Sequence, residues 1–116
     1  SSGLYSILEE EWINKPDLDD AAIDFATAQK KAADFISRTQ GIAKLVAEEE
    51  FEKALKRIDR TKEKIRDMRK AGLESEEAEF SPENIAFKIL RRDDVLKQLN
   101  DLKQISYDKL MTIKEE

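Results

Sequence analysis

Carboxylates and cations are the only chemistry-bearing side chains this sequence holds in number: 26 Asp and Glu and 21 Lys and Arg stand among 116 residues, with no His and no Cys. The usual sources of proton transfer near neutral pH and of an activated thiolate are therefore missing. There is no glycine-rich phosphate loop and no nucleophile elbow. No catalytic residue, no cofactor site and no metal ligand is assigned. The cations do have a pattern. Lys53, Lys56, Arg57, Arg60 and Lys64 follow one another at i, i+3, i+4, i+7 and i+11, one exposed stripe of a helix opposite Phe51, Leu55, Ile58 and Ile65. Such a stripe can follow a phosphate backbone, and these five are the candidate phosphate-contacting residues. Against that stand an isoelectric point near 5.0 and the lack of interleaved aromatics to stack on bases. Charge pairing of Glu52 with Lys56 and Glu49 with Lys53, or of the stripe with the acidic first segment, is the plainer reading.

Among the acids, Glu48-Glu49 followed by Glu52 resembles the EExxE form carried on one helix by all-α NTP pyrophosphohydrolases of the MazG type. The resemblance implies a magnesium site and NTP hydrolysis. It covers five residues, and the family's downstream ExxD is not matched, because Glu63 to Asp67 is one residue longer. In so acidic a chain a solvated helix face accounts for the cluster. A carboxylate-metal hydrolase is therefore the third function class.

The aromatic residues divide by position. Phe25, Phe35 and Phe51 lie on or beside apolar stripes at helical spacing, which makes them core rather than a ligand pocket, and Phe87 stands off the stripe. Tyr5 and Trp12 sit on a short acidic terminal segment, docked on the bundle or offered to a partner, and are the candidate partner-binding residues.

The elements that must position these groups read as helices. A short helix is expected over about 4–13, ended by Lys15-Pro16-Asp17, with Asp17 capping the next. From Leu18, the residues Ala22, Phe25, Ala28, Ala32, Phe35, Ile36 and Thr39 form an alanine-rich packing stripe that Ile42, Leu45 and Val46 extend. Gly41 is read as carried inside that helix or at a slight bend. After Ala47 the stripe continues about one residue out of phase, which predicts a rotated face or a kink near Glu48–Glu50. Arg69, Lys70, Gly72 as the left-handed C′ residue and Leu73 as hydrophobic closure mark an end near residue 71. An acidic connector occupies 74–80. Phe80-Ser81-Pro82-Glu83 then starts a helix over about 82–114, with Phe80 stapled on Ile85 and a break at Arg91–Asp94 where an Asp can cap a new helix.

Net charge is −5, unevenly placed: residues 1–24 sum to −6, residues 51–70 to +5, and residues 71–84 carry five acids and no base. No stretch approaches the ~20 apolar residues of a membrane span. The start, Ser1-Ser2-Gly3-Leu4, reads as a trimmed or tagged fragment and not as a signal peptide. Absent cysteines leave the cytoplasm as the default location. The expected fold is all-α and a single domain: a long helical hairpin, with a long helix or bent pair over about 18–71 as one arm, or a three- to four-helix bundle with coiled-coil-like packing. The two arms differ in length, ~80 Å against ~50 Å at 1.5 Å per residue, so the longer folds back near Gly41 or finds cover in another chain. The function expected is a non-enzymatic protein–protein interaction or assembly module, with a homo-oligomer as the leading assembly. Phe25, Phe35, Leu45, Val46, Leu99 and Leu102 are its core or interface. The second class is a nucleic-acid-associated accessory protein using the basic helix 53–70.

Overall fold

A computed structural model describes residues 18–76 and 78–115, and within them every regular element is helical. The order is α1 (Leu18–Ala47), α2 (Phe51–Glu74), a 3-10 turn (Ala78–Phe80), α3 (Pro82–Leu90) and α4 (Arg92–Glu115). The expected all-α class holds. The helix read over 4–13, with Tyr5 and Trp12, and the Asp17 cap lie outside the described residues.

The arm expected over 18–71 is not one rod. Its break comes at Glu48–Glu50, where the chain turns back on itself, and α1 runs unbroken through Gly41. Hydrogen bonds explain the stop. The Glu50 N–H donates to Leu45 O at 2.8 Å and the Glu49 N–H to Val46 O at 3.1 Å, the paired six-to-one and five-to-two bonds of a Schellman closure. Glu49 takes the left-handed conformation, φ 62°, that such a closure needs at C′. A glycine normally marks that position, so three consecutive glutamates give little sign of a turn. The phase shift of the apolar stripe was the sign, because α1 and α2 each carry their own seam.

Those seams are regular. Buried or half-buried positions on α1 include 28, 32, 35, 39, 42 and 46, and on α2 they include 51, 54, 58, 61, 65 and 68. Alternating steps of three and four keep one face toward the neighbour over many turns. Residues 30–35 of α1 line a cleft with residues 64–68 of α2, and residues 37–42 line another with residues 57–61, so the two helices run antiparallel.

The far end of α2 corrects a second expectation. Gly72 is inside the helix, not at C′, and has no positive φ. Leu73 is 71% exposed and closes nothing. The helix ends at Glu74 with Ser75 extended, and the cap comes from elsewhere in the chain: the Asn84 side-chain Nδ2 donates to Gly72 O at 3.3 Å and to Ala78 O at 2.6 Å. Gly72 is buried under that amide, and a Cβ there would overlap it, with Asn84 Cγ 2.9 Å away.

Ser81 caps α3 as the sequence indicates, accepting from the Asn84 N–H at 3.2 Å, with Pro82 in the first turn. Phe80, expected as the staple on Ile85, is exposed. α3 packs its Ala86 on Ala28 and Ala32 of α1, where small side chains allow close approach. It ends at Arg91, left-handed at φ 50°, and α4 starts one residue later. Asp93 and Asp94 lie in the first turn of α4, favourable to its dipole. The Arg91 carbonyl accepts from the Asp94 N–H at 2.9 Å.

The core sits where α1, α2 and α4 meet. Ile42, Ile58 and Leu99 are fully enclosed there, each stabilising the fold by about 1.5–3 kcal/mol. The enclosed hydroxyls of Thr61 and Ser106 donate to Arg57 O and Leu102 O within their own helices, and every buried side-chain nitrogen or oxygen among the described residues has a partner. Phe87, set aside in the sequence reading, packs on this core, and the Arg92 guanidinium lies 5.8 Å from its ring centroid. Ile89 and Ile105 are exposed.

Candidate functional site

The basic stripe is the feature that tertiary structure changes most. All five cations are exposed, and Arg57, Arg60 and Lys64 flank the seam between α1 and α2 instead of standing opposite the core. Two clefts line this seam. The first, of 360 Å³, is walled by Ser37, Arg38, Gly41, Ile42, Arg57, Arg60 and Thr61. The second, of 510 Å³, is walled by Lys30, Lys31, Asp34, Phe35, Lys64, Asp67 and Met68.

The residues of the two clefts recur on successive turns of both helices: 30, 34, 37 and 41 on α1, and 57, 60, 64 and 67 on α2. That spacing places both clefts on one face of the hairpin, end to end. Its walls bring six cations, Lys30, Lys31, Arg38, Arg57, Arg60 and Lys64, against two carboxylates, Asp34 and Asp67. Of the six, Arg38 alone forms an ion pair among the described residues, with Asp34 at 2.7 Å. Lys30, Lys31 and Arg38 carry no signal in the sequence because α1 as a whole is neutral, with four bases against four acids from Leu18 to Ala47; only the reversal at Glu48–Glu50 sets them beside the cations of α2.

The floor of the first cleft has a further property. Gly41 is helical, and a Cβ built on it meets nothing within 4 Å. Glycine in a helix interior costs about 1 kcal/mol against alanine. No packing neighbour requires the glycine, so the backbone is simply left open toward the cleft.

The remaining candidates separate cleanly. Phe35 and Leu99 are buried core, and Leu45, Val46 and Leu102 are half-buried against it. Phe25 is not core: it is 49% exposed, as is Ile36 at 48%. These two stand eleven residues apart on α1, three turns, within about 20° of each other around a helix of 3.6 residues per turn. On α4, Lys103 pairs with Asp59 at 3.6 Å, so α4 runs past the α1–α2 turn and leaves Ile113, in line with its buried face, uncovered.

The carboxylates behave as a solvated surface. Glu48 and Glu49 lie in the turn and Glu52 on α2, so the EExxE spacing is not carried on one helix. The nearby lysines take other partners than the two expected: Glu48 pairs with Lys44 and Glu50 with Lys53, both at 3.9 Å. Among the described residues no three acids come together as a metal-holding group, and no helix is long and apolar enough to cross a membrane. No protein family model matches this chain, and no curated protein or solved structure matches it either.

Proposed function

We propose that this chain is a non-enzymatic helical module that joins protein partners, a second copy of itself first, through apolar side chains its own fold leaves uncovered. The observation that carries this reading is the pairing of Phe25 and Ile36 on one line of α1, beside the alanine seam that receives α3. A lone exposed apolar residue means little, but two large ones aligned three turns apart form a strip that a partner helix can cover. On α4 the exposed Tyr107 and Met111, four residues apart and so on one face, offer a second such strip. The sequence supports the non-enzymatic part, since it holds neither His nor Cys and its EExxE acids are split between a turn and a helix.

Light scattering over a concentration series tests this. Mass should rise above the 13.4 kDa of one chain, and a Phe25→Asp, Ile36→Asp variant with unchanged helicity should remain at that mass. A chain monomeric at every concentration, with the variant indistinguishable from it, refutes assembly through α1.

A further inference from the structure

The cationic face of the α1–α2 hairpin is a different surface from the Phe25–Ile36 strip and asks for a different ligand. Six cations facing two carboxylates along one groove make a local positive field on a chain whose net charge is −5. An anionic occupant would relieve the mutual repulsion of these cations and release the counterions they hold. We infer that this groove, with Arg38, Arg57 and Arg60 around Gly41 as its centre and Lys30, Lys31 and Lys64 beyond, binds the sugar–phosphate backbone of single-stranded nucleic acid without regard to sequence.

Two observations point to this occupant. Three arginines meet at one cleft, and the guanidinium fork matches phosphate oxygens two at a time, whereas a lysine offers a point charge. The cations extend along the groove: Arg57 to Lys64 alone spans about 10 Å of helix, long enough for successive phosphates of an extended chain and too long for one small anion. Phe35 is 3% exposed and Ile42 is fully buried, which leaves the half-buried Met68 as the one apolar contact open in the lining, a small anchor for the side chains of an acidic peptide. Phe35 is buried and the groove has no platform for stacking bases, which counts against tight single-strand binding and confines any contact to the backbone, leaving sequence unread. The groove runs along the seam between the two helices. Open at Gly41, it lets a strand approach the helix backbone.

The test is fluorescence anisotropy of a dye-labelled oligothymidine with the full chain. Binding is expected near 50 mM salt, with log K falling against log salt at a slope of about −2 to −4 for three to five neutralised phosphates. An Arg57→Glu, Arg60→Glu variant should bind at least tenfold more weakly. Gly41→Glu, which fills the cleft floor from a position with open space, should do the same without touching an arginine. Lys97→Glu on the exposed face of α4 is a single charge reversal, a larger change than Gly41→Glu and half that of the double reversal, and should leave affinity within about twofold. If the charge reversals disturb folding, Arg57→Gln with Arg60→Gln gives an intermediate loss on the same line.

No binding at low salt overturns the inference, as does equal loss with Lys97→Glu. Polyglutamate of the same length binding as well as the oligothymidine would assign the groove to an acidic protein, and preferential capture by vesicles containing phosphatidylserine would assign it to a membrane surface; either result overturns a nucleic-acid strand. Running the assay with the Phe25→Asp, Ile36→Asp variant separates the two proposals, because strand binding there should persist when self-assembly is lost.

Discussion

Alanine at the two helical glycines should act in opposite directions. At Gly41 the new methyl meets open space, so the substitution gains the ordinary helix preference of alanine, about 1 kcal/mol. At Gly72 the same gain is offset, because the methyl would overlap the Asn84 amide and drive it from the Gly72 and Ala78 carbonyls. Losing two hydrogen bonds and leaving two carbonyls short of a donor costs about 2–4 kcal/mol, for a net loss near 1–3 kcal/mol. In a chain of this length each kcal/mol moves the melting point by about 3–6 °C. Urea and thermal unfolding followed by far-ultraviolet circular dichroism read both signs. The decisive arm is a cycle with Asn84→Ala: once the amide is gone, Gly72→Ala should become favourable by about 1 kcal/mol, a coupling well outside the scatter of independent sites. Equal stabilisation by both glycine substitutions, or a Gly72→Ala loss that persists in the Asn84→Ala background, would refute the claim that Asn84 occupies the space above Gly72.

Three further perturbations probe the helix ends and the core. Glu49→Gly should raise stability by about 1 kcal/mol, because a left-handed φ of 62° strains any residue with a Cβ, and thermal melting gives the sign directly. Ser81→Ala should cost about 1–2 kcal/mol in urea unfolding, since its hydroxyl both accepts from the Asn84 N–H and donates to Ala78 O at 3.2 Å each. Leu99→Ala, which empties the point where α4 meets Ile42 and Ile58, should lower stability by about 2–5 kcal/mol, visible as an earlier urea midpoint with the same cooperativity or as outright unfolding.

Much of the helical structure is legible because it rests on local chemistry. Ser81 and Pro82 announce α3 through a hydroxyl that accepts the Asn84 N–H and a ring that needs no N–H of its own. The regular steps of three and four from Ala28 to Val46 announce α1. Misreadings arise where a signal is shared with another role. Gly72 has the residue type of a C′ cap but serves a close approach by Asn84, twelve positions away, whereas the C′ conformation falls to Glu49, which has no glycine to show for it. Phe87 stands off the apolar stripe in the sequence; the break at Arg91 re-aims α3 so that Phe87 and Leu90 meet Phe35, Ile65 and Val95.

By itself the sequence determined an all-α chain, a phase shift near Glu48–Glu50 that reads as a rotated face or kink while the reversal is expected near Gly41, the start of α3 at Ser81 and the cationic character of residues 53–64, because periodicity, capping and charge are properties of neighbours in the chain. Only the tertiary structure decided that Lys30, Lys31 and Arg38 join Arg57, Arg60 and Lys64 on one groove, that Gly41 lies open at its floor, and that Phe25 and Ile36 stay uncovered. The physical reason is the reversal at Glu49. A single residue's left-handed φ folds two helices antiparallel, and which side chains then face each other depends on that register, which no local pattern records.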